Sequence, residues 1–323
     1  PWFKGMHANR YLTQYILGGL EKIGQMNVLS NANEISRLNR IKNRAANYLD
    51  SRIEEDYRRI SKAGIDAEAS YLDPSLVNYL YARSFDKDWS LNTASSFFIE
   101  EAKQHWQDQN PMIRALVGLS LYQLNPREPI IKSIYTSLQD IAIEDSLGVH
   151  WKFIGNQPYW YNSKIEAQAY LIEFFKNLRP NDPMIDEMKK WLLHQKNQQS
   201  WPGSKSSIQA CHVLLSEEEK LTYKQDESAV IVGTNSLDQF HSAMPAMLSK
   251  SWEGEEIEEE LASIKVNQNE KSFGWGAAHW QYFEEIDKVS SHSKNGLRIQ
   301  SEYYQHSSEN NRLERISGQL KVG

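Results

Sequence analysis

Neighbouring carboxylates are the first groups in this chain that could do chemistry. Glu54, Glu55 and Asp56 are consecutive, and one residue separates Asp86 from Asp88. General acid catalysis needs a carboxyl group in an apolar pocket that raises its pKa. The triplet instead lies in an arginine-rich amphipathic segment, which favours salt bridges on the surface. Glycoside hydrolysis at these carboxylates stays open as the alternative.

Cysteine and histidine, the ligands that zinc prefers, are adjacent at Cys211 and His212. Zinc takes three or four ligands, whereas the chain has one cysteine and no His-Glu-x-x-His motif. Neighbouring residues on a helix also point about 100° apart. We therefore expect no metal site and no cofactor. We predict that Cys211 is a buried, inert thiol on an apolar face with Ile208, Leu214 and Leu215.

His150, Trp151 and Glu166 form a third group. They could be an acid–base pair facing a cavity, but a hydrogen-bonded structural role is favoured. Tryptophans are also frequent enough to line a carbohydrate or terpenoid pocket, although packing of helix hairpins is favoured for them. As candidates for a cavity or a docking surface we take His150, Trp151, Trp160, Glu166, Trp275 and Trp280.

The elements that must position these residues are mostly helices. Apolar residues recur at i, i+3, i+4 and i+7 in nine segments: 10–24, 35–60, 74–85, 93–106, 111–124, 129–142, 165–178, 184–195 and 206–215. Pro111, Pro129 and Pro183 fit helix starts, and Asp182 and Ser75 fit cap regions. Short polar loops predict helical hairpins, which must close into a toroid or stack into a solenoid.

The pattern changes near Lys224. Residues 227–234, 261–268, 274–283 and 297–305 are short, β-branched or aromatic, and alternate roughly with period two. The acidic run from Glu253 to Leu261 indicates a solvated loop. The switch from helices to strands predicts a separate β region after the helical body.

Composition excludes several classes of partner. Hydrophobic residues make up 40% of the 323 residues, and the net charge is −6. A nucleic-acid surface would be basic and clustered, and so would a polybasic membrane patch. No apolar run approaches the roughly 20 residues that span a bilayer.

The order of motifs from Glu144 to Leu215 resembles the thioester domain of the α2-macroglobulin and complement family. It runs EDSLGVHWKF, PYWYNSKIEAQAYLIEFF and DPMIDEMKKWLLHQKNQQSWPGSKSSIQACHVLL. PWFKGMHANRYLTQYILGGL resembles the family's glycine-aromatic loop and the helix after it. FGWGAAHWQYFEEIDKV resembles the strand that follows the domain in bacteria, and LRIQSEYYQH and LKVG resemble the start of the next β domain.

The resemblance implies an architecture. It is mainly α: an α/α toroid of helical hairpins over residues 1–222, incomplete at its N-terminal side, followed by a smaller all-β region. That region would comprise a CUB-like part, 223–289, and the incomplete start of a receptor-binding-type domain, 290–323. The family's thioester motif, Cys-x-Glu-Gln, does not occur, and we expect it upstream of the segment matching Pro1. The segment expected to hold the family's acyl-transfer histidine, 71–83, has none.

The resemblance also implies a role. The chain would be part of a bacterial protease-trapping endopeptidase inhibitor in the periplasm or at the cell surface, and not an enzyme. Its partners would be the remaining domains of the same polypeptide and the target proteases, with no nucleic acid and no membrane span. The alternative is a toroidal carbohydrate-active hydrolase or a terpenoid-binding protein. An open, acidic, aromatic-lined cleft would favour the enzyme, and a filled centre would favour the inhibitor part.

Overall fold

The computed structural model describes residues 5–26, 29–66, 68–152, 163–196, 201, 203–215, 229–237, 249–267, 276, 278–281, 283, 302–307 and 312–315. These residues are mainly helical and include a few small antiparallel sheets, which confirms the predicted helical character. The chain divides into two compact units, Pro1–Trp275 and Gly276–Gly323.

Each of the nine periodic segments is a helix. In the described part of the first unit these are α1 (Arg10–Gln25), α2 (Ala32–Ala63), α3 (Pro74–Ser84), α4 (Thr93–His105), α5 (Pro111–Leu124), α6 (Pro129–Asp140), α7 (Lys164–Leu178), α8 (Met184–His194) and α9 (Ser204–Leu215). The agreement follows from the apolar periodicity, because each helix must bury its apolar stripe against a neighbour.

Side-chain caps and prolines set where the helices begin. Pro111 and Pro129 are the first residues of α5 and α6, where the missing N–H leaves no partner unsatisfied. Asp182 accepts the N–H of Met184 at 3.0 Å as α8 begins. Asp73, rather than Ser75, caps α3: its carboxylate accepts the N–H of Ser75 at 2.7 Å.

The helices form two sets. The odd-numbered helices contact one another in order, α1 with α3, α3 with α5, α5 with α7 and α7 with α9. Each even-numbered helix contacts the odd-numbered helix before it. The odd-numbered α3, α5 and α7 are buried almost from end to end, whereas α2 and α6 bury a single stripe. We call the odd-numbered helices, which contact one another in order, the inner helices.

Small sheets complete the first unit. β1 (Ile143–Asp145) and β2 (Gly148–His150) form an antiparallel hairpin that packs on α8. Gly148 has φ +116° and its Cα faces the α8 backbone, where a Cβ would lie 2.3 Å from the Glu187 carbonyl oxygen. Only glycine fits that position. β3 (Ala229–Val232), β4 (Asn235–Ser236) and β5 (Ile264–Asn267) form a sheet in the order β4-β3-β5.

The second unit contains β6 (Tyr304–Ser307), which pairs antiparallel with β7 (Arg312–Arg315). Strands therefore occur in three of the four predicted segments, 227–234, 261–268 and 297–305. The described residues of 274–283 form no strand. The predicted domain boundaries at 222/223 and 289/290 stay predictions.

Candidate functional site

His150 is the last residue of β2, and Trp151 follows it directly. The hairpin that ends here packs on α8. Trp151 is buried, and its Nε1 donates a hydrogen bond to the carbonyl oxygen of Leu138 at 2.8 Å. The His150 ring stacks on Trp191 with their centroids 5.2 Å apart. Because the backbone satisfies the indole N–H, Trp151 anchors the hairpin to α6.

Glu166 lies in the first turn of α7 and faces a different group. It is 4% exposed and forms an ion pair with Lys205 of α9. Ser206 donates to it at 3.5 Å, and Lys205 also donates to the hydroxyl of Tyr11 on α1 at 2.5 Å. No hydrogen bond or ion pair joins Glu166 to His150, both of which the structure describes. The two residues do not form the hypothetical acid–base pair in this structure.

Aromatic rings surround the Lys205 amine. Its Nζ lies 5.1 Å from the ring centroid of Tyr11 and 5.0 Å from that of Tyr15, within the range of cation–π attraction. Burial raises the pKa of Tyr15, and the nearby charge of Glu166 raises it further. The amine thus lies between one carboxylate and two rings, and it links α9 to α1.

A second polar cluster lies deeper among the inner helices. Lys22 of α1 donates to Glu173 of α7 at 2.7 Å and to Gln209 of α9 at 3.3 Å. The hydroxyl of Tyr81 on α3 donates to the other oxygen of Glu173 at 2.7 Å. The Gln209 amide donates to the Tyr170 hydroxyl at 3.1 Å. We call these five residues the central network; they connect four inner helices.

Burial dominates the electrostatics of the central network. Lys22 is 7% exposed, and its Nζ lies 5.5 Å and 5.2 Å from the ring centroids of Tyr81 and Tyr170. Burial first, and then the charge of Glu173, raises the pKa of both tyrosines well above the usual value. Both phenols therefore stay protonated. A buried charge is tolerated only when paired and hydrogen-bonded, and here each charged group has its partners inside the protein.

Amide side chains extend these links. Gln14 of α1 is 1% exposed and donates to the Ser75 carbonyl at 3.0 Å, while Asn78 of α3 donates to the Gln14 oxygen at 3.2 Å. Gln168 of α7 donates to the carbonyl oxygens of Val149 and Met188. The inner helices are thus joined by polar contacts as well as by apolar packing.

A cavity of about 370 Å³ opens at the C-terminal ends of α1 and α7. Its lining includes Lys22, Gln25, Phe85, Glu173, Lys176 and His212. Burial and then the charge of Lys22 lower the pKa of His212, so its imidazole is neutral at pH 7. Glu173 contributes the single carboxylate among the described lining residues, and that group is already paired with Lys22.

Glu54 and Glu55 form salt bridges, as predicted, and so do Asp56 and Asp86. The pairs are Glu54 with Arg58, Glu55 with Arg52, Asp56 with Arg10 and Arg59, and Asp86 with Arg83. Asp86 also accepts the backbone N–H of Asp88 at 3.1 Å, which shapes the loop before Trp89. None of these contacts brings two carboxylates to one apolar pocket, as general acid catalysis requires.

The prediction that Cys211 is buried is wrong. Cys211 is exposed, and Ile208 on the same face of α9 is 60% exposed. The helix instead buries Ser206, Gln209, Ala210 and Val213. The buried face of α9 is therefore mixed: Ala210 and Val213 pack in the apolar core, while Ser206 and Gln209 make polar contacts with α7 and α1.

The tryptophans of the chain differ in their exposure. Trp201 is buried and donates from Nε1 to the Leu192 carbonyl at 2.9 Å, which matches the packing role expected for these residues. Trp280 is 58% exposed. Trp160 and Trp275 lie outside the described residues.

Sequence reasoning missed the central network and Lys205. Their signal is present but weak: single polar residues interrupt apolar helix faces at Lys22, Glu173 and Gln209. Within the described ranges, no three His, Cys, Asp or Glu side chains come together as a metal site would require. The same residues contain no helix that is both long and apolar enough to cross a membrane.

Comparison with protein-family models and with curated proteins found no match for this chain.

Proposed function

We propose that the helical body is an α/α toroid that serves as a mechanical part of a bacterial α2-macroglobulin-like protease trap. The observation that carries this proposal is the way in which α1 reaches α9. Lys22, near the C-terminal end of α1, meets Gln209 of α9, and Tyr11, near the N-terminal end of α1, meets Lys205 of α9. The first and last helices are thus joined by side-chain contacts, which supports a closed ring over an open solenoid.

The pairing of the buried polar groups among the inner helices supports a structural role. The central network lies between α1, α3, α7 and α9, and its charged groups bind one another. A toroidal hydrolase needs an open cleft with a pair of carboxylates. Here the cavity beside the network has one described carboxylate, already neutralised by Lys22. This contrast supports the non-enzymatic reading over the carbohydrate-active or terpenoid-binding alternative.

Rigidity is what a mechanical part needs. In a protease trap, cleavage of a bait segment releases domains that enclose the protease. Each of these domains must therefore move as a rigid body. Buried hydrogen-bonded networks resist local rearrangement because every displaced group would lose its partner. The order of motifs and this internal bracing together support the inhibitor role. The periplasm or the cell surface, where foreign proteases arrive, is the compartment this role implies.

To test the proposal, the full-length polypeptide is incubated with a panel of endopeptidases. A cage excludes large substrates by size but admits small ones. We expect the trapped protease to lose cleavage of casein and to keep cleavage of a short chromogenic peptide. Retention of both activities would contradict trapping, and loss of both would indicate an inhibitor that blocks the protease's active site.

A parallel screen addresses the enzyme alternative. The chain is assayed against glycoside and peptide substrates, with Glu54→Gln, Asp88→Asn and Glu166→Gln as variants. We expect no turnover. Turnover that disappears in one of these variants, with the helical circular dichroism intact, would promote the toroidal hydrolase.

A further inference from the structure

One face of α2 exposes three arginines around an isoleucine. Arg37, Arg40, Ile41 and Arg44 stand at i, i+3, i+4 and i+7, so their side chains share one side of the helix. All four residues are exposed, and Ile41 is 42% exposed. They extend over about 10 Å of helix axis. We call this set the arginine face.

The arginine face has no charge partner in the described chain. Further along the same helix the arginines are paired: Arg52 with Glu55, Arg58 with Glu54 and Arg59 with Asp56. Arg37, Arg40 and Arg44 form no ion pair with any described residue. Residues 32–44 contain four basic side chains and one acidic one, and Lys42 points away to pair with Glu21 at 2.6 Å.

A surface of matching chemistry lies elsewhere in the same unit. Residues 253–260 contain six glutamates around Ile257, which is 47% exposed. Two 3₁₀ turns, Gly254–Glu256 and Glu259–Ala262, shape this acidic segment, and buried Leu261 anchors it. The glutamates at 255, 256 and 258–260 form no ion pair with the described residues.

We propose that the arginine face of one copy of this chain docks on the acidic segment of a second copy. Ile257 packs against Ile41, and the glutamates on either side pair with the three arginines. The guanidinium group suits this contact because its planar fork binds a carboxylate through two hydrogen bonds. Within one chain both surfaces remain exposed, so the complementary partner must come from another molecule.

Salt dependence is the signature of such a contact. Exposed ion pairs each contribute little, so the association is weak and grows with protein concentration. The Debye length is about 30 Å at 0.01 M salt and about 3 Å at 1 M salt. Sedimentation velocity of the whole chain should show larger species at low salt as concentration rises, and monomer alone at high salt. Monomer at every concentration in both buffers would overturn the proposal.

Two charge-reversed variants identify the surfaces. Arg37→Glu with Arg40→Glu disables the arginine face, and Glu258→Arg with Glu259→Arg disables the acidic segment. Each variant alone should associate at least tenfold more weakly than the parent protein. A mixture of the two should associate again, because the intact acidic segment of the first meets the intact arginine face of the second.

The control is Arg58→Glu with Arg59→Glu, which changes the charge of the same helix equally but at arginines already paired in the fold. It should associate like the parent protein. Equal weakening in the control, or a mixture of the two variants that stays monomeric, would refute the pairing of these two surfaces. Weakening by the arginine variant alone would point instead to a different acidic partner.

Discussion

Lys22 of α1 and Glu173 of α7 form an ion pair of 2.7 Å between helices that are 151 residues apart in sequence. Both side chains are nearly buried, at 9% and 12% exposure. The pair is the hub of the central network, since Gln209 and Tyr81 bind its two ends. A contact between such distant segments closes a long loop, so it forms only once the inner helices have assembled.

Lys22→Met should therefore destabilise the fold strongly. The substitution preserves the apolar stem but leaves Glu173 buried without its cation, and removing one partner of a buried pair costs about 3–5 kcal/mol. Urea unfolding followed by circular dichroism measures the change. Adding Glu173→Gln removes the orphan charge while an oxygen still accepts from Tyr81, so the double variant should recover at least half of the loss. A matched control is Lys190→Met, whose pair with Glu187 is exposed; it should change stability by less than about 1 kcal/mol.

Gly118→Ala should destabilise the contact between α5 and α7. A Cβ at Gly118 would lie 2.3 Å from Cε2 and 2.7 Å from Cζ of Phe174, which is fully buried and cannot move aside. Overpacking of this kind costs about 1–3 kcal/mol, and the helix propensity of alanine offsets at most about 1 kcal/mol.

Gly19→Ala is the control for that substitution. Gly19 lies in α1 with nothing within 4 Å of its Cβ position, so alanine should be neutral or stabilising by up to about 1 kcal/mol. Thermal unfolding of both variants measures the two changes in stability. A Gly118→Ala protein as stable as the Gly19→Ala protein would show that α5 and α7 can separate without cost.

Helix positions could be predicted from the sequence because they depend on local repetition. The apolar period in α5 or α7 is visible without knowing any partner, since each of these helices must bury a stripe somewhere. The pairing of inner helices is not local. It depends on which buried face meets which, and residues such as Lys22 and Glu173 resemble solvent-facing interruptions until their neighbours in the fold are known.

Cys211 also shows that the sequence does not reveal which face of a helix is buried. The prediction assumed that the apolar residues of α9 face inward. Part of the surface next to α9 is instead polar, supplied by Lys22 and Tyr170, so Gln209 turns inward. Ala210 and Val213 are still buried, so only the tertiary structure shows that Ile208 and Cys211 lie on the exposed side of this helix.

The exposed thiol has a direct consequence for labelling. Cys211 of the native chain should react with a thiol reagent at a rate within about tenfold of the urea-unfolded chain, because access no longer limits the reaction. A spectrophotometric assay with an aromatic disulfide reports both rates. Native labelling that is a thousandfold slower would mean that the thiol is covered in solution.

Acid should weaken the fold through His212. Burial, the charge of Lys22 and the charge of Lys176 lower its pKa below the usual 6.5, against the opposing effect of Glu173. Below pH 6.5 the unfolded chain therefore binds a proton at this residue that the folded chain resists. The neutral imidazole contributes stability above pH 6.5. This contribution is lost progressively as the pH falls from 6.5 toward the lower pKa of His212 in the folded protein. His212 changes the free energy of unfolding by at most about 1.4 kcal/mol per pH unit.

His212→Gln removes this titration and keeps a polar side chain of similar reach. Urea unfolding of both proteins between pH 7.5 and pH 5 gives the difference in stability at each pH, and groups common to both cancel. We expect the parent protein to lose more stability than the variant as pH falls below 6.5. Parallel pH profiles would show that His212 titrates alike in the folded and unfolded chains, and a steeper loss in the variant would mean that the folded protein favours the protonated imidazole.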